Sequence, residues 1–116
     1  MTTMQQARSA RSLEALPVFA ALGDPVRFGI MTRLCDDGPL PTIALKQGTR
    51  LSRQAVTKHL NILEQVGLVR SDRVGRDRSW QIESKALTRT RDFLDRISAQ
   101  WDARLARLRT LVETGD

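Results

Sequence analysis

The sequence is poor in the residues that most often carry covalent or metal chemistry. It has one cysteine, one histidine and an aromatic content of only 4%. A single Cys35 forbids an intrachain disulfide and fits a reducing compartment, so a cytoplasmic location is expected. With His59 as the sole imidazole and no cysteine, histidine or carboxylate partner close by, a tetrahedral metal site cannot be assembled around it. No glycine-rich phosphate loop is present, and no histidine is paired with an acid and a nucleophile. Enzymatic activity and a bound cofactor are therefore not expected.

Long apolar runs are missing as well. The longest, "ALPVFAAL", has eight residues and contains a proline, far short of the roughly 20 that span a bilayer. The opening "MTTMQQARSARS" lacks the apolar region of a secretory signal. No membrane partner is expected.

What is abundant is positive charge. Nineteen Lys and Arg stand against 13 Asp and Glu, a net +6 with a pI near 11. Such a balance favours polyanionic partners. At 116 residues, with 41% hydrophobic and 28% charged residues, the chain is large enough for one core and too small for two.

Residues 1–12 are small and polar and read as an N-terminal arm. Residues 13–84 read as the main domain. Leu13 to Leu22 suggests a short helix, and Asp24 followed by Pro25 is a cap and first-turn signal for the next. Val26, Ile30, Met31 and Leu34 keep helical spacing until "DDG" stops them. "TIALKQGT" suggests two further turns, ended by Gly48. Ser52 then caps a helix that runs to about Val66 and stops at Gly67. Two short helices joined by a few residues form a helix-turn-helix. "LVRSDR" and "RSWQIE", separated by "VGRD", read as a β-hairpin that Trp80 anchors. Residues 85–113 contain neither Gly nor Pro and read as one long helix. The expected fold is mainly α with a β-hairpin wing, in the order α-α-α-α-β-β-α.

Winding residues 52–66 at 100° per residue separates two faces. Val56, Leu60, Leu63 and Val66 share one, with His59 beside them, and Gln54, Thr57, Lys58, Asn61 and Gln65 share the other, flanked by Arg53 and Glu64. Arg suits guanine's acceptors, Gln and Asn suit adenine's edge, and Thr adapts to either. Ser52, Arg53, Gln54, Thr57, Lys58 and Asn61 are thus candidate contacts to a DNA major groove. Residues 50–80 hold seven basic groups against three acids, +4 of the chain's +6. Arg50, Arg73, Arg76 and Arg78 are the candidates for phosphate contact, with Arg76 at the hairpin tip. A winged module that binds protein or RNA is the alternative, although RNA recognition favours stacked aromatics that are scarce here.

On the long helix, Leu94, Ile97, Trp101, Leu105, Leu108 and Val112 form one apolar stripe. A helix of about 28 residues spans roughly 42 Å, longer than so small a domain can cover, so dimerisation is expected. Asp92, Asp95 and Asp102 alternate with Arg91, Arg96 and Arg104, which suggests surface ion pairs. Cys35 reads as a small apolar residue near the core.

"FAALGDPVRFGIMTRL", "LSRQAVTKHLNILEQVGLV" and "GRDRSWQI" together resemble the ArsR/SmtB family of winged-helix bacterial repressors over roughly Val18 to Ile82. The resemblance implies a homodimer built with the C-terminal helix, a recognition helix in each major groove of an inverted-repeat operator, and wings on flanking DNA. Carried over by position, the base-reading sites fall on Arg53, Gln54, Thr57 and Lys58. The chain departs from the metal-sensing members: "LPTIALKQGT" carries no cysteine, and the C-terminal helix no histidine. A single cysteine likewise excludes dithiol sensing within one subunit. A metal is not the expected signal; a small molecule at the dimer interface and autoregulation without an inducer both stay open.

Overall fold

The computed structural model describes residues 13–114; the N-terminal arm expected over residues 1–12 lies outside the described residues. Helix α1 (Leu16–Leu22) leads through Gly23 into α2 (Pro25–Asp37). Strand β1 (Leu40–Pro41) precedes α3 (Thr42–Lys46), and α4 (Arg53–Gln65) completes the helix-turn-helix. Strands β2 (Val69–Val74) and β3 (Asp77–Ile82) form the hairpin, and α5 (Ser84–Thr114) closes the chain.

The helix boundaries follow from local chemistry. Asp24 caps α2 by accepting from the backbone N–H groups of Val26 and Arg27, at 2.9 and 3.0 Å. Pro25, which has no N–H to satisfy, takes the first helical position. Ser52 caps α4 through its Oγ, which accepts from the Ala55 N–H at 3.1 Å. The end of α4 is a Schellman motif: Leu68 N–H donates to Leu63 O and Gly67 N–H to Glu64 O, both at 3.0 Å. Gly67 supplies the required positive φ, +82°, while Leu63 and Leu68 are both wholly buried. The turn therefore hands the chain directly from the core side of α4 into the hairpin. At the wing tip, Gly75 has φ +64° and Arg76 does not share a positive φ. That is the type II′ pattern, whose twist matches the strands it joins.

One element was absent from the expected order. β1 is only two residues long, pairing Leu40 with Trp80 and Pro41 with Ser79, so the sheet runs β1-β3-β2, antiparallel throughout. This puts β3 in the centre. Trp80 on β3 is fully buried, and its indole N–H donates to Thr42 Oγ1 at 2.9 Å. One side chain thus fastens the wing to the start of α3, as the anchoring expectation had it. The core gathers Val18 and Ala21 from α1, Ile30, Met31 and Leu34 from α2, and Leu45 from α3. Val56, Leu60 and Leu63 of α4 close it against Trp80 and Ala86.

Two local expectations need correction. Cys35 is exposed, not part of the core: Ile30, Met31 and Leu34 hold the buried face of α2, and the next residue is rotated 100° away from Leu34. The acids of α5 form no ion pairs among the described residues. Arg96 and Arg104 lie instead over the rings of Phe93 and Trp101, at 5.8 and 5.7 Å from their centroids.

Helix α5 is anchored only by its first turns. Ala86 and Thr90 are buried, Phe93 meets Phe19 edge-to-face at 5.9 Å, and every residue from Leu94 to Thr114 is exposed. At 31 residues the helix is about 46 Å long. The radius of gyration is accordingly 19.5 Å, against about 13 Å for a compact chain of this length.

Candidate nucleic-acid interface

Helix α4 has the two faces its sequence implies. Val56, Leu60 and Leu63 are fully buried, and Val66 packs at the margin. Arg53, Gln54, Lys58 and Asn61 are exposed on the opposite side, spread over about 12 Å of helix axis. Thr57 is half-exposed, and its hydroxyl donates to the Arg53 carbonyl at 2.9 Å. That leaves the Thr57 oxygen able to accept from a ligand but not to donate. Ser52 is exposed, and while its Oγ accepts from Ala55 its own proton stays free. Ile62, placed at the margin by the wheel, is 38% exposed.

His59 is half-buried beside the packed face, as expected, but it is tied to polar partners. Arg27 donates through Nε to the Ala21 carbonyl at 2.7 Å and approaches His59 Nδ1 with Nη1 at 3.2 Å. Asp24 completes the cluster, with Oδ2 3.7 Å from His59 Nδ1. The Asp24 carboxyl is held below its ordinary value, first by the hydrogen bond from the Arg27 backbone N–H and then by the charges of Arg27 and His59. His59 therefore braces α4 on the loop before α2 and faces away from the exposed polar stripe.

The four basic residues expected outside α4 do not form one class. Arg50, Arg73 and Arg76 are exposed; Arg76 stands at the tip of the II′ turn. Arg78 is different. Its guanidinium lies 4.2 Å from the centroid of the Trp80 ring. It donates to Ser71 Oγ at 2.8 Å and to Glu64 Oε1 at 3.3 Å, while Ser71 donates to Glu64 Oε2 at 2.8 Å. This small network bolts the C-terminal end of α4 to both strands of the wing. A second tie joins the other end: Arg53 Nη2 lies 3.2 Å from Asp77 Oδ1, at the first residue of β3. Both ends of α4 are thus tied to the wing. Glu64 and Asp77 are tied into this surface, and sequence reasoning gave neither a role. The signal for Glu64 was there, a single acid on an otherwise amide and cationic face, where an internal partner is the economical explanation.

Away from this surface, α1, the end of α4 and α5 line a half-open cavity of about 850 Å³. Ala15, Val18, Val66 and Ala86 contribute apolar surface, and Gln65, Thr90, Arg89 and Arg96 polar groups. No cluster of three or more His, Cys, Asp or Glu side chains suited to a metal ion occurs among the described residues.

A family model described as a helix-turn-helix domain matches residues 22–72, which include α2, α3 and α4. An ArsR-like transcriptional regulator from Rhodococcus sp. RHA1 superposes with a TM-score of 0.72 at 39% identity, over 88% of this chain and 95% of that one. The chain belongs to the ArsR family. An uncharacterised HTH-type transcriptional regulator of Bacillus subtilis, YuzN, is 42% identical over 67 residues, 53% of this chain and 73% of that one. The HTH-type transcriptional regulator NmtR of Mycobacterium tuberculosis is 35% identical over 68 residues, 59% of this chain and 56% of that one. As an ArsR-family protein the chain is a winged helix-turn-helix, DNA-binding transcriptional regulator. No helix among the described residues is long and apolar enough to cross a membrane.

Proposed function

We propose that this regulator is a homodimeric repressor acting in the cytoplasm on an inverted-repeat operator. Ser52, Arg53, Gln54, Thr57, Lys58 and Asn61 enter the major groove, and Arg50, Arg73 and Arg76 follow the flanking phosphates. The observation that carries this reading is the polar face of α4, exposed from Arg53 to Asn61 while the opposite face is buried. Arg78 serves the site indirectly, by holding the wing on α4. Two such helices in a twofold dimer would reach successive major grooves roughly 34 Å apart.

The second copy is supported by the uncovered stripe on α5. Leu94, Ile97, Trp101, Leu105, Leu108 and Val112 are between 37% and 78% exposed in one chain. Release of the operator needs a ligand that prefers one arrangement of the dimer over another. A small organic molecule in the cavity between α1 and α5 would touch Gln65 and Val66 at the end of the recognition helix, a direct route to its orientation. A non-metal inducer is consistent with the donors present, one exposed cysteine and one histidine engaged by Arg27.

The test compares two variants on duplexes enriched from a randomised pool by the wild-type protein. Arg53→Ala should lose preference for the enriched duplex over a scrambled one, by about tenfold. Arg76→Ala should weaken both alike and lower the log–log salt slope by about 1. The reverse assignment would overturn the division between base-reading helix and phosphate-binding wing, and preferential binding of duplex RNA would overturn DNA as the partner.

A further inference from the structure

Asp77 is an acid in the middle of a surface otherwise suited to a polyanion. Of the three acids between residues 50 and 80, Glu64 is bound by Arg78 and Ser71, and Asp72 accepts from the Gln81 side chain at 3.0 Å. Asp77 is paired with Arg53, the first residue of α4. We propose that Asp77 is a positioning residue for DNA recognition, holding one edge of the Arg53 guanidinium so that this side chain discriminates between a base edge and the DNA backbone. The proposal rests on the reading of α4 as the recognition helix.

The geometry supports a buttress more than an incidental ion pair. Asp77 Oδ1 is itself fixed by the backbone N–H of Arg78, at 2.7 Å, at the start of a paired strand. Arg53 sits at the first position of α4, and its carbonyl accepts from Thr57 Oγ1. A rigid carboxylate therefore meets a side chain whose own backbone is locked. The contact uses Nη2 of a guanidinium that has five N–H donors in a planar fork. The remaining donors are enough for a bidentate contact with the O6 and N7 acceptors of guanine while the Asp77 contact is kept. A phosphate makes a different demand: it competes for the same cation and brings a second negative charge towards Asp77. The carboxylate thus narrows the rotamers open to Arg53 and disfavours its capture by backbone, whatever the sequence.

The experiment is a double-mutant cycle read as a specificity ratio, the affinity for the enriched duplex over that for a scrambled duplex of the same composition. Asp77→Asn keeps an oxygen for the Arg78 N–H and removes only the charge, so the hairpin should stay folded. The expected result is a fall in the ratio of about three- to tenfold, arising partly from tighter binding of the scrambled duplex. In an Arg53→Ala background, Asp77→Asn should change the ratio no further. A ratio left intact by Asp77→Asn but lowered by Arg53→Ala would overturn the role of Asp77 alone. An equal fall in both backgrounds would also overturn it, since Asp77 would then act without Arg53. If Arg53→Ala itself left the ratio unchanged, the failure would lie in the recognition helix assignment. Asp77→Ser, which can still accept from the backbone, provides a second variant if the thermal melt of Asp77→Asn departs from wild type.

Discussion

Trp101→Ala separates self-association from folding, because among the described residues this side chain is left exposed with the Arg104 guanidinium over its ring. It is 56% exposed, and no buried residue occurs beyond Thr90 on its helix. An aromatic side chain at the upper end of the range presents about 250 Å², so about 140 Å² remains to be covered, worth about 3.5 kcal/mol at about 25 cal/mol per Å². A twofold interface counts the residue twice. If half of that surface is covered in each copy, the dimer loses about 3.5 kcal/mol, a weakening of between two and three orders of magnitude. The monomer should lose almost nothing, since alanine is the better helix former and no cavity opens. Sedimentation equilibrium from nanomolar to high micromolar protein reads the first quantity, and a thermal melt under conditions where the chain is monomeric reads the second. An unchanged association constant, or a wild-type chain that stays monomeric throughout, would refute the role assigned to the stripe. A monomer melt that collapsed would show that the helix packs on its own domain instead.

Two other expectations follow from the bolts described above. Arg78→Ala removes the contact over Trp80 and the bonds to Glu64 and Ser71. With both charged groups more than a third exposed, the ion pair itself adds little, and a loss of about 1 kcal/mol in denaturant stability is expected, mainly from the ring contact. Arg76→Ala should cost no stability, and the opposite ranking would count against Arg78 as a brace. The Asp24 cap predicts an acid dependence: its carboxyl titrates below 3.8 when folded, so its contribution is complete above that value and is lost as pH falls through the folded one. Asp24→Asn keeps an accepting oxygen for the cap and should flatten the stability profile below pH 3.8, which denaturant melts across that range would detect.

Much of this architecture could be read from local signals. Asp24–Pro25, Ser52 and Gly67 mark helix ends because each satisfies backbone groups within a few residues of itself. The buried face of α4 emerged from spacing alone, since a half-buried helix must repeat its apolar side every three to four residues. What stayed hidden was non-local. β1 is two residues, one of them proline, and exists only because β3 passes beside it. Arg78 looked like any cation in a basic run, and its attachment to Glu64 depends on a fold that brings residues 14 positions apart together. Cys35 shows the limit of a hydrophobicity argument: a small apolar type one position past a buried leucine lands on the outside. The expectation of ion pairs on α5 failed for another reason. Flexible arginines on an exposed helix can equally settle over neighbouring rings, and Arg96 and Arg104 do so.

The two tryptophans give the molecule a pair of separate optical reporters. The chain has no tyrosine, so ultraviolet-excited emission comes overwhelmingly from Trp80 and Trp101. Trp80 is sealed in the interior beneath a guanidinium, and its emission should lie to the blue until the wing detaches. Trp101 is wet, and its emission should lie to the red until another surface dries it. Dilution and denaturant would then move different parts of one spectrum, and replacing either indole with phenylalanine would isolate the other without a dye or tag.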